Sequence, residues 1–111
     1  MSTSLVHVVI ICIAMLEGGA PKVPTEHGYL HITDRALKDY NTCTHLNVTA
    51  KELDNMAVSD DVAATLITKV WCPGETDIIK IGKRYNGKQS YGIALNNLVE
   101  DMKHGHGNKA R

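Results

Sequence analysis

Histidines and cysteines are the residues with which this chain of 111 residues could do the most chemistry. Neither Cys43 with His45 nor His104 with His106 has a second pair at the spacing of a zinc finger, and the three cysteines form no CxxC motif. Cys43 or Cys72 can act as a nucleophile only if folding brings a histidine beside it, which spacing does not predict. We therefore predict no catalytic residue, no metal site and no cofactor.

The segment from residue 82 to residue 89, GKRYNGKQ, is close in sequence to a phosphate-binding loop. In such a loop a Ser or Thr directly follows the lysine, so that its hydroxyl can reach a magnesium ion. Here Gln89 follows Lys88 instead. Asn86-Gly87 is also the strongest short signal for a β-hairpin turn. The sequence therefore predicts a hairpin at this point and not a nucleotide site.

Two strands over residues 78–85 and 89–95 are predicted to flank that turn, with three basic side chains at its tip: Lys83, Arg84 and Lys88. The net charge of the chain is zero, but it is unevenly distributed. Up to residue 76 there are five Lys or Arg against nine Asp or Glu, and from residue 77 onward there are seven against three. A basic tip can bind an anionic partner, and it can equally be a solvated surface.

Two helix starts precede this hairpin. Thr49-Ala-Lys-Glu52 is a capping box, in which each side chain bonds the backbone N–H of the other residue. Ser59 is predicted to be a second N-cap, and two aspartates follow it in the first turn, where the helix dipole favours negative charge. An apolar stripe then predicts a helix over residues 59–71, although the β-branched residues there also fit a strand.

The segment TAKELDNMAVSDDVAATLITKV resembles the helix-turn-helix of transcription regulators at six positions: Thr49, Glu52, Leu53, Val58, Ser59 and Val62. With the hairpin as a wing, the resemblance covers residues 48–95 and implies a winged helix-turn-helix. The implied fold class is α+β, a small domain of short helices plus a C-terminal β-hairpin. The chain departs from the family pattern in having one residue fewer before Val58, and in Ala57, where glycine is usual.

This resemblance implies a small DNA-binding transcriptional regulator. Asp60 and Asp61 at the start of the recognition helix would repel phosphates, so the wing must supply most of the attraction to double-stranded DNA. The implied DNA contacts are Thr65, Thr68 and Lys69 on the helix and Lys80, Lys83, Arg84 and Lys88 on the hairpin.

Two other functions stay open. The acidic first two-thirds of the chain and the lack of a catalytic constellation suit a protein-binding inhibitor or antitoxin-like module that occludes a protein partner, and a homodimer is also compatible. If residues 5–16, LVHVVIICIAML, were the core of a signal peptide, the protein would be a small secreted domain with a disulfide between Cys43 and Cys72. Because no basic residue precedes that run, we predict a cytoplasmic protein that keeps it.

The apolar run over residues 5–16 is too short for a transmembrane helix, so we expect no membrane partner. Its β-branched residues favour a buried strand over a buried helix. Further along, Thr33-Asp34 predicts the start of a helix that ends near Tyr40, and a short helix is predicted around residues 98–102. We predict one globular domain over residues 1–103 and a flexible basic tail over residues 104–111.

Overall fold

Five α-helices and one very short sheet form the part of the chain that the structure, a computed structural model, describes: residues 1–105. In chain order the elements are α1 (Thr3–Glu17), β1 (Glu26–His27), β2 (Ile32–Thr33), α2 (Asp34–Thr44), α3 (Met56–Thr65), α4 (Ile78–Asn86) and α5 (Gln89–Lys103). The two strands are antiparallel. A 3₁₀ turn precedes α3 and a π-helical segment follows it. The predicted basic tail lies outside the described residues from residue 106 onward.

The predicted C-terminal β-hairpin is wrong, and so is the α+β, winged-helix-like fold that depended on it. Residues 78–86 form helix α4, which Asp77 caps by accepting a hydrogen bond from the Ile79 N–H at 3.0 Å. Gly87 has a φ of +97°, and its N–H donates to the Lys83 carbonyl at 2.6 Å. Asn86-Gly87 therefore ends a helix with a left-handed glycine cap and does not turn a hairpin.

The N-terminal apolar run is helix α1 and not the predicted strand. Ser2 caps the helix by accepting from the Leu5 N–H at 3.1 Å, and Gly18 ends it in the left-handed conformation with a φ of +69°. The buried side chains recur at helical spacing and face α3 and α5: Val9, Ile10, Cys12 and Ile13. Packing has outweighed the strand preference of the β-branched residues. No helix within residues 1–105 combines the length and the apolar character needed to cross a membrane.

The predicted cap of α2 is confirmed, because the Thr33 hydroxyl accepts from the Ala36 N–H at 3.0 Å. The predicted end is wrong, since α2 continues beyond Tyr40 to Thr44. Asn41 and Thr42 are weak helix formers, but the Asn41 side chain donates to the Val48 carbonyl at 2.9 Å and accepts from the Val48 N–H at 3.0 Å, while the buried Tyr40 packs in the core. Tertiary contact therefore extends this helix further than residue preferences alone predict.

The predicted capping box is confirmed, with the Thr49 N–H donating to Glu52 Oε1 at 2.9 Å, but it opens a 3₁₀ turn and not an α-helix. The N-cap of α3 is Asn55, so the prediction of Ser59 as a cap is wrong. Ser59 is buried inside α3 and donates to the Leu53 carbonyl at 2.5 Å. A helix over residues 59–71 is confirmed, as α3 and the π-helical segment Leu66–Trp71.

Helices α4 and α5 touch through their backbones. A Cβ atom on Gly82 would lie only 2.6 Å from the Gly92 Cα, and one on Gly92 would collide with the Ile79 carbonyl. Only glycine allows this approach, which sets the rotation of each helix about the other. One result is that the rings of Tyr85 and Tyr91 stack, with their centroids 6.4 Å apart and their planes 17° from parallel.

The close approach of α4 and α5 predicts a stability cost for any side chain at the contact. We expect Gly92→Ala to lower the free energy of unfolding by about 1–3 kcal/mol, because the new methyl group forces the helices apart. Asn97→Ala on the exposed face of α5 is the matched control. Urea denaturation of both variants measures the difference. Equal effects at the two positions would contradict the packing described here.

Candidate active site

Helix α1 ends in a glutamate whose side chain contacts the turn of the small sheet. Glu17 is the last residue of the helix, and Gly18 and Gly19 follow with φ values of +69° and +103°. Two successive left-handed residues turn the chain sharply, which glycine permits at little cost. The Glu17 side chain is only 13% exposed, and both of its carboxylate oxygens have partners.

His31 lies in the turn between β1 and β2 and joins two glutamates. Its Nδ1 is 3.0 Å from Glu17 Oε1 and 3.3 Å from Glu26 Oε1, while its Nε2 is 2.6 Å from the Gly19 carbonyl oxygen. A carbonyl only accepts, so Nε2 carries a hydrogen. Nδ1 faces one carboxylate oxygen of each glutamate. His31 itself has a φ of +54°, a strained value for a residue with a side chain.

Tyr91 of α5 holds the other oxygen of Glu17. Its hydroxyl donates to Glu17 Oε2 at 2.6 Å, and its ring stacks on Tyr85, whose own hydroxyl donates to the Leu30 carbonyl at 2.5 Å. Burial raises the pKa of Tyr91, and the hydrogen bond to Glu17 raises it further. Tyr91 therefore keeps its hydroxyl hydrogen and orients the Glu17 carboxylate.

A groove of about 350 Å³ runs beside this cluster. Its lining includes Glu26 and, across from the sheet, Asp54. Gly19, Ala20 and Gly28 also line it and leave room for a ligand because their side chains are small or absent. The Glu26 side chain is 33% exposed, so a molecule in the groove can reach its carboxylate.

The cluster has the composition of a general acid–base site. From their distances to His31 Nδ1, the two bonded carboxylate oxygens of Glu17 and Glu26 can be at most about 6.3 Å apart. Of two carboxyl groups held this close, one can donate a proton to one atom of a substrate while the other acts as a base or nucleophile at another. The described residues contain no group of three or more His, Cys, Asp or Glu side chains arranged to hold a metal ion.

The structure separates the predicted DNA contacts into two places. Three of them line a shallow groove on the outer face of α4 together with Gly87: Lys80, Lys83 and Arg84. Lys88, the next residue along the chain, is exposed. The other three line a different groove beside the start of α1: Thr65, Thr68 and Lys69. A recognition helix and a wing on one surface are therefore not formed.

Cys43 and Cys72 are both free thiols, without the disulfide of the secreted alternative.

Sequence reasoning missed the four residues of this site: Glu17, Glu26, His31 and Tyr91. One signal was available, since Glu17 is the first charged residue of the chain and two glycines follow it directly. An acidic residue at a sharp chain reversal after an apolar helix is a candidate for a buried, functional carboxylate. Spacing gave no sign of Tyr91, because it comes from a helix 74 positions further along the chain.

Removing the hydroxyl of Tyr91 tests how strongly Glu17 depends on it. We expect Tyr91→Phe to lower the free energy of unfolding by about 1.5–3 kcal/mol, since a hydrogen bond to a carboxylate is lost from a half-buried position. Tyr40→Phe is the control, because its bond to Asp61 is longer, 3.3 Å, and Asp61 is exposed. Urea denaturation measures both, and a larger loss for Tyr40→Phe would contradict the assignment.

The tyrosines also predict a dependence of stability on alkaline pH. Burial is the largest cause that raises the pKa of all four tyrosines. In the unfolded chain they ionise near pH 10, so above that pH the folded state binds more protons than the unfolded state. The free energy of unfolding should therefore fall as the pH rises above about 10. Tyrosinate absorbance of the folded protein checks this, and titration of the tyrosines near pH 10 would refute it.

Comparison with known proteins gives this site no relative from which to take a function. No family model matches the chain, and neither the curated proteins nor the solved structures contain a match. The chemistry of the site is therefore inferred from its own geometry: the two glutamates, the histidine between them and the tyrosine that orients Glu17.

Proposed function

We propose that this protein is a glycoside hydrolase that cleaves a polysaccharide with the carboxyl groups of Glu17 and Glu26. The observation that carries the proposal is that both carboxylates bond the same nitrogen of His31, at 3.0 and 3.3 Å, beside an open groove. Glycoside hydrolysis requires such a pair, one acid that protonates the leaving oxygen and a second carboxylate on the other side of the bond.

The contacts of His31 favour this reaction over acyl transfer. In a serine or cysteine hydrolase the imidazole bonds a hydroxyl or a thiol and activates it as the nucleophile. Here the ring nitrogens face Glu17, Glu26 and the Gly19 carbonyl. The imidazole therefore serves the carboxylates, because its Nδ1 contacts both and limits their separation.

In the proposed reaction each carboxyl group has its own role. Glu17 is the more enclosed and lies closer to the imidazole nitrogen. We therefore assign it the role of general acid, in which its protonated form donates to the glycosidic oxygen as that bond breaks. Glu26 is more exposed and lines the groove, where it meets the anomeric carbon. Water then enters, Glu17 takes a proton from it, and the sugar leaves Glu26.

The short separation of the carboxylates supports retention of anomeric configuration. Inverting enzymes leave about 6.5–9.5 Å between the two groups to admit a water molecule. The bonded oxygens here are at most about 6.3 Å apart. That upper bound is below the range of inverting enzymes, so we assign Glu26 the role of nucleophile. In that role it attacks the anomeric carbon and forms a glycosyl ester, which water hydrolyses in the second step.

The site bears differently on the DNA-binding, protein-binding and non-enzyme interpretations of the sequence. Double-stranded DNA and a protein partner stay predictions, but the DNA hypothesis has lost the hairpin wing that was to carry most of its contacts. The proposal of an enzyme replaces the expectation of no catalytic residue. Its support is the pair of acids that contact His31, which spacing along the chain did not predict.

Conversion of each glutamate to glutamine tests the proposal. We expect wild-type protein to release new reducing ends from one of three β-linked probes: bacterial peptidoglycan, chitin oligosaccharides or cello-oligosaccharides. Glu17→Gln and Glu26→Gln should each lower that rate by about 10²–10⁴-fold, because a general acid or the nucleophile is lost. Glu100→Gln, which alters an exposed carboxylate on α5, should leave it unchanged.

The first anomer released, observed by NMR, should have the configuration of the bond that was cut. Circular dichroism confirms that each variant is folded before its rate is compared. Failure of the wild type to cleave any of the three probes would overturn the proposal, and so would a Glu17→Gln protein that keeps full activity.

A further inference from the structure

His27 is a second histidine beside the candidate site, one position after Glu26 on β1. It lines the groove of about 350 Å³ together with Glu26. Its Nε2 lies 2.6 Å from Asp34 Oδ1, and its side chain is 21% exposed. A carboxylate oxygen only accepts a hydrogen bond, so Nε2 carries the hydrogen of this pair. His27 is therefore anchored through one nitrogen at the wall of the groove.

The Asp34 carboxylate is held beside β1 by the backbone. The Asp34 N–H donates to the carbonyl of Thr25, the residue before β1, at 2.9 Å. Antiparallel pairing sets His27 opposite Ile32, two positions before Asp34. Asp34 also lies in the first turn of α2, where the helix dipole favours a negative charge. The acceptor for the His27 ring is thus in place before any ligand enters.

The other ring nitrogen of His27, Nδ1, has no hydrogen-bond partner within residues 1–105. Every fully buried polar side-chain atom in this part of the chain is bonded, so the unbonded Nδ1 is open to solvent. In a neutral imidazole whose hydrogen is on Nε2, Nδ1 is a hydrogen-bond acceptor. The bond to Asp34 therefore fixes both the tautomer of His27 and the direction of its free acceptor.

The groove offers hydrogen-bond acceptors and no positive charge. Among the described residues its wall includes the carboxylates of Glu26 and Asp54 and the imidazole of His27, but neither lysine nor arginine. An anionic group on a ligand would meet two carboxylates, with no cation in the wall to neutralise it. The ligand that fits therefore supplies O–H or N–H donors and carries no anionic group.

A glycan supplies such donors on every ring. Each sugar carries hydroxyl groups, and an N-acetylated sugar adds an amide N–H. Hydrogen bonds to the hydroxyl beside the anomeric carbon strengthen in the transition state of glycoside hydrolysis. The Cα atoms of Glu26 and His27 are about 3.8 Å apart, because they are consecutive residues. His27 is therefore close enough to contact the same sugar ring that Glu26 attacks in the proposed reaction.

We propose that the groove binds a glycan without anionic groups, and that His27 Nδ1 accepts a hydrogen bond from an O–H or N–H of that glycan. Asp34 is a positioning residue, because it acts on the glycan only through His27. The proposal rests on the proposed glycoside hydrolase function, to which it adds the class of glycan and a binding residue.

Binding of three tetrasaccharides to Glu17→Gln protein tests the proposal without cleavage. Glu17 is not among the residues that line the groove, so its replacement leaves the wall intact. The neutral probes are cellotetraose and tetra-N-acetylchitotetraose, which separate a hydroxyl donor from an acetamido N–H. The anionic probe is cellotetraose with each CH₂OH group oxidised to a carboxylate. We expect calorimetry to show about tenfold weaker binding of the anionic probe than of the better neutral probe.

Nitrogen NMR of the same protein observes His27 directly. In the free protein Nδ1 of His27 should have the resonance of a ring nitrogen without hydrogen, and the better neutral probe should shift it. His7, which is exposed and lines a different groove, should not respond. Asp34→Asn should populate both tautomers of His27 and weaken binding, while circular dichroism stays that of the folded protein.

Two replacements of His27 separate the roles of its nitrogens. In His27→Asn the amide oxygen is as many bonds from Cα as Nδ1, whereas in His27→Gln the terminal amide takes the place of Nε2. We expect His27→Gln to weaken binding of the better neutral probe about three- to tenfold, the size of one lost hydrogen bond. His27→Asn should recover part of that loss. His7→Gln is the matched control and should bind as tightly as its parent.

Four results would overturn the proposal. They are no binding of either neutral probe, equally tight binding of the anionic probe, unchanged binding by His27→Gln, and equal losses in His27→Gln and His27→Asn. Binding that depends on His27 in a protein that cleaves no glycan would count against the hydrolase function alone. Cleavage with an unchanged KM in His27→Gln would count against the role of His27 alone, so the two failures are distinguishable.

Discussion

Direct backbone contact between α4 and α5 at Gly82 and Gly92 is the constraint on which the candidate site depends. It fixes the rotation of both helices, and this rotation turns Tyr85 and Tyr91 toward the small sheet. Tyr91 then bonds Glu17, and Tyr85 bonds the strand turn beside His31. Two tyrosine hydroxyl groups thus join the C-terminal helix pair to the end of α1 and to the sheet. A looser contact between α4 and α5 would move both hydroxyl groups away from their partners.

Local signals in the sequence predicted local structure well. The capping box at Thr49, the cap at Thr33 and the helix over residues 59–71 each depend on residues that are close together in the chain. The hairpin prediction failed because Asn86-Gly87 supplies left-handed backbone to a helix end as readily as to a tight turn. The inward residues of α4 are three and four positions apart, a spacing that the turn signal outweighed.

The candidate site was beyond prediction from spacing for a different reason. Its acids come from the end of α1 and the start of β1, its histidine from a turn, and its tyrosine from the last helix. None of these positions forms a motif along the chain. Their meeting is a property of the tertiary fold, and the Glu17-Gly18-Gly19 reversal was the one visible hint. Lys80, Lys83 and Arg84 lie on helix α4 and not on the predicted hairpin.

His31 combines a strained backbone with a side chain that joins two acids. A left-handed backbone at a residue with a side chain costs on the order of 1 kcal/mol or more, and glycine would remove that cost. Glycine at this position would relax the backbone, but it would also remove the one side chain that contacts both Glu17 and Glu26. The strain at residue 31 is therefore the cost of holding two acids from different elements beside each other.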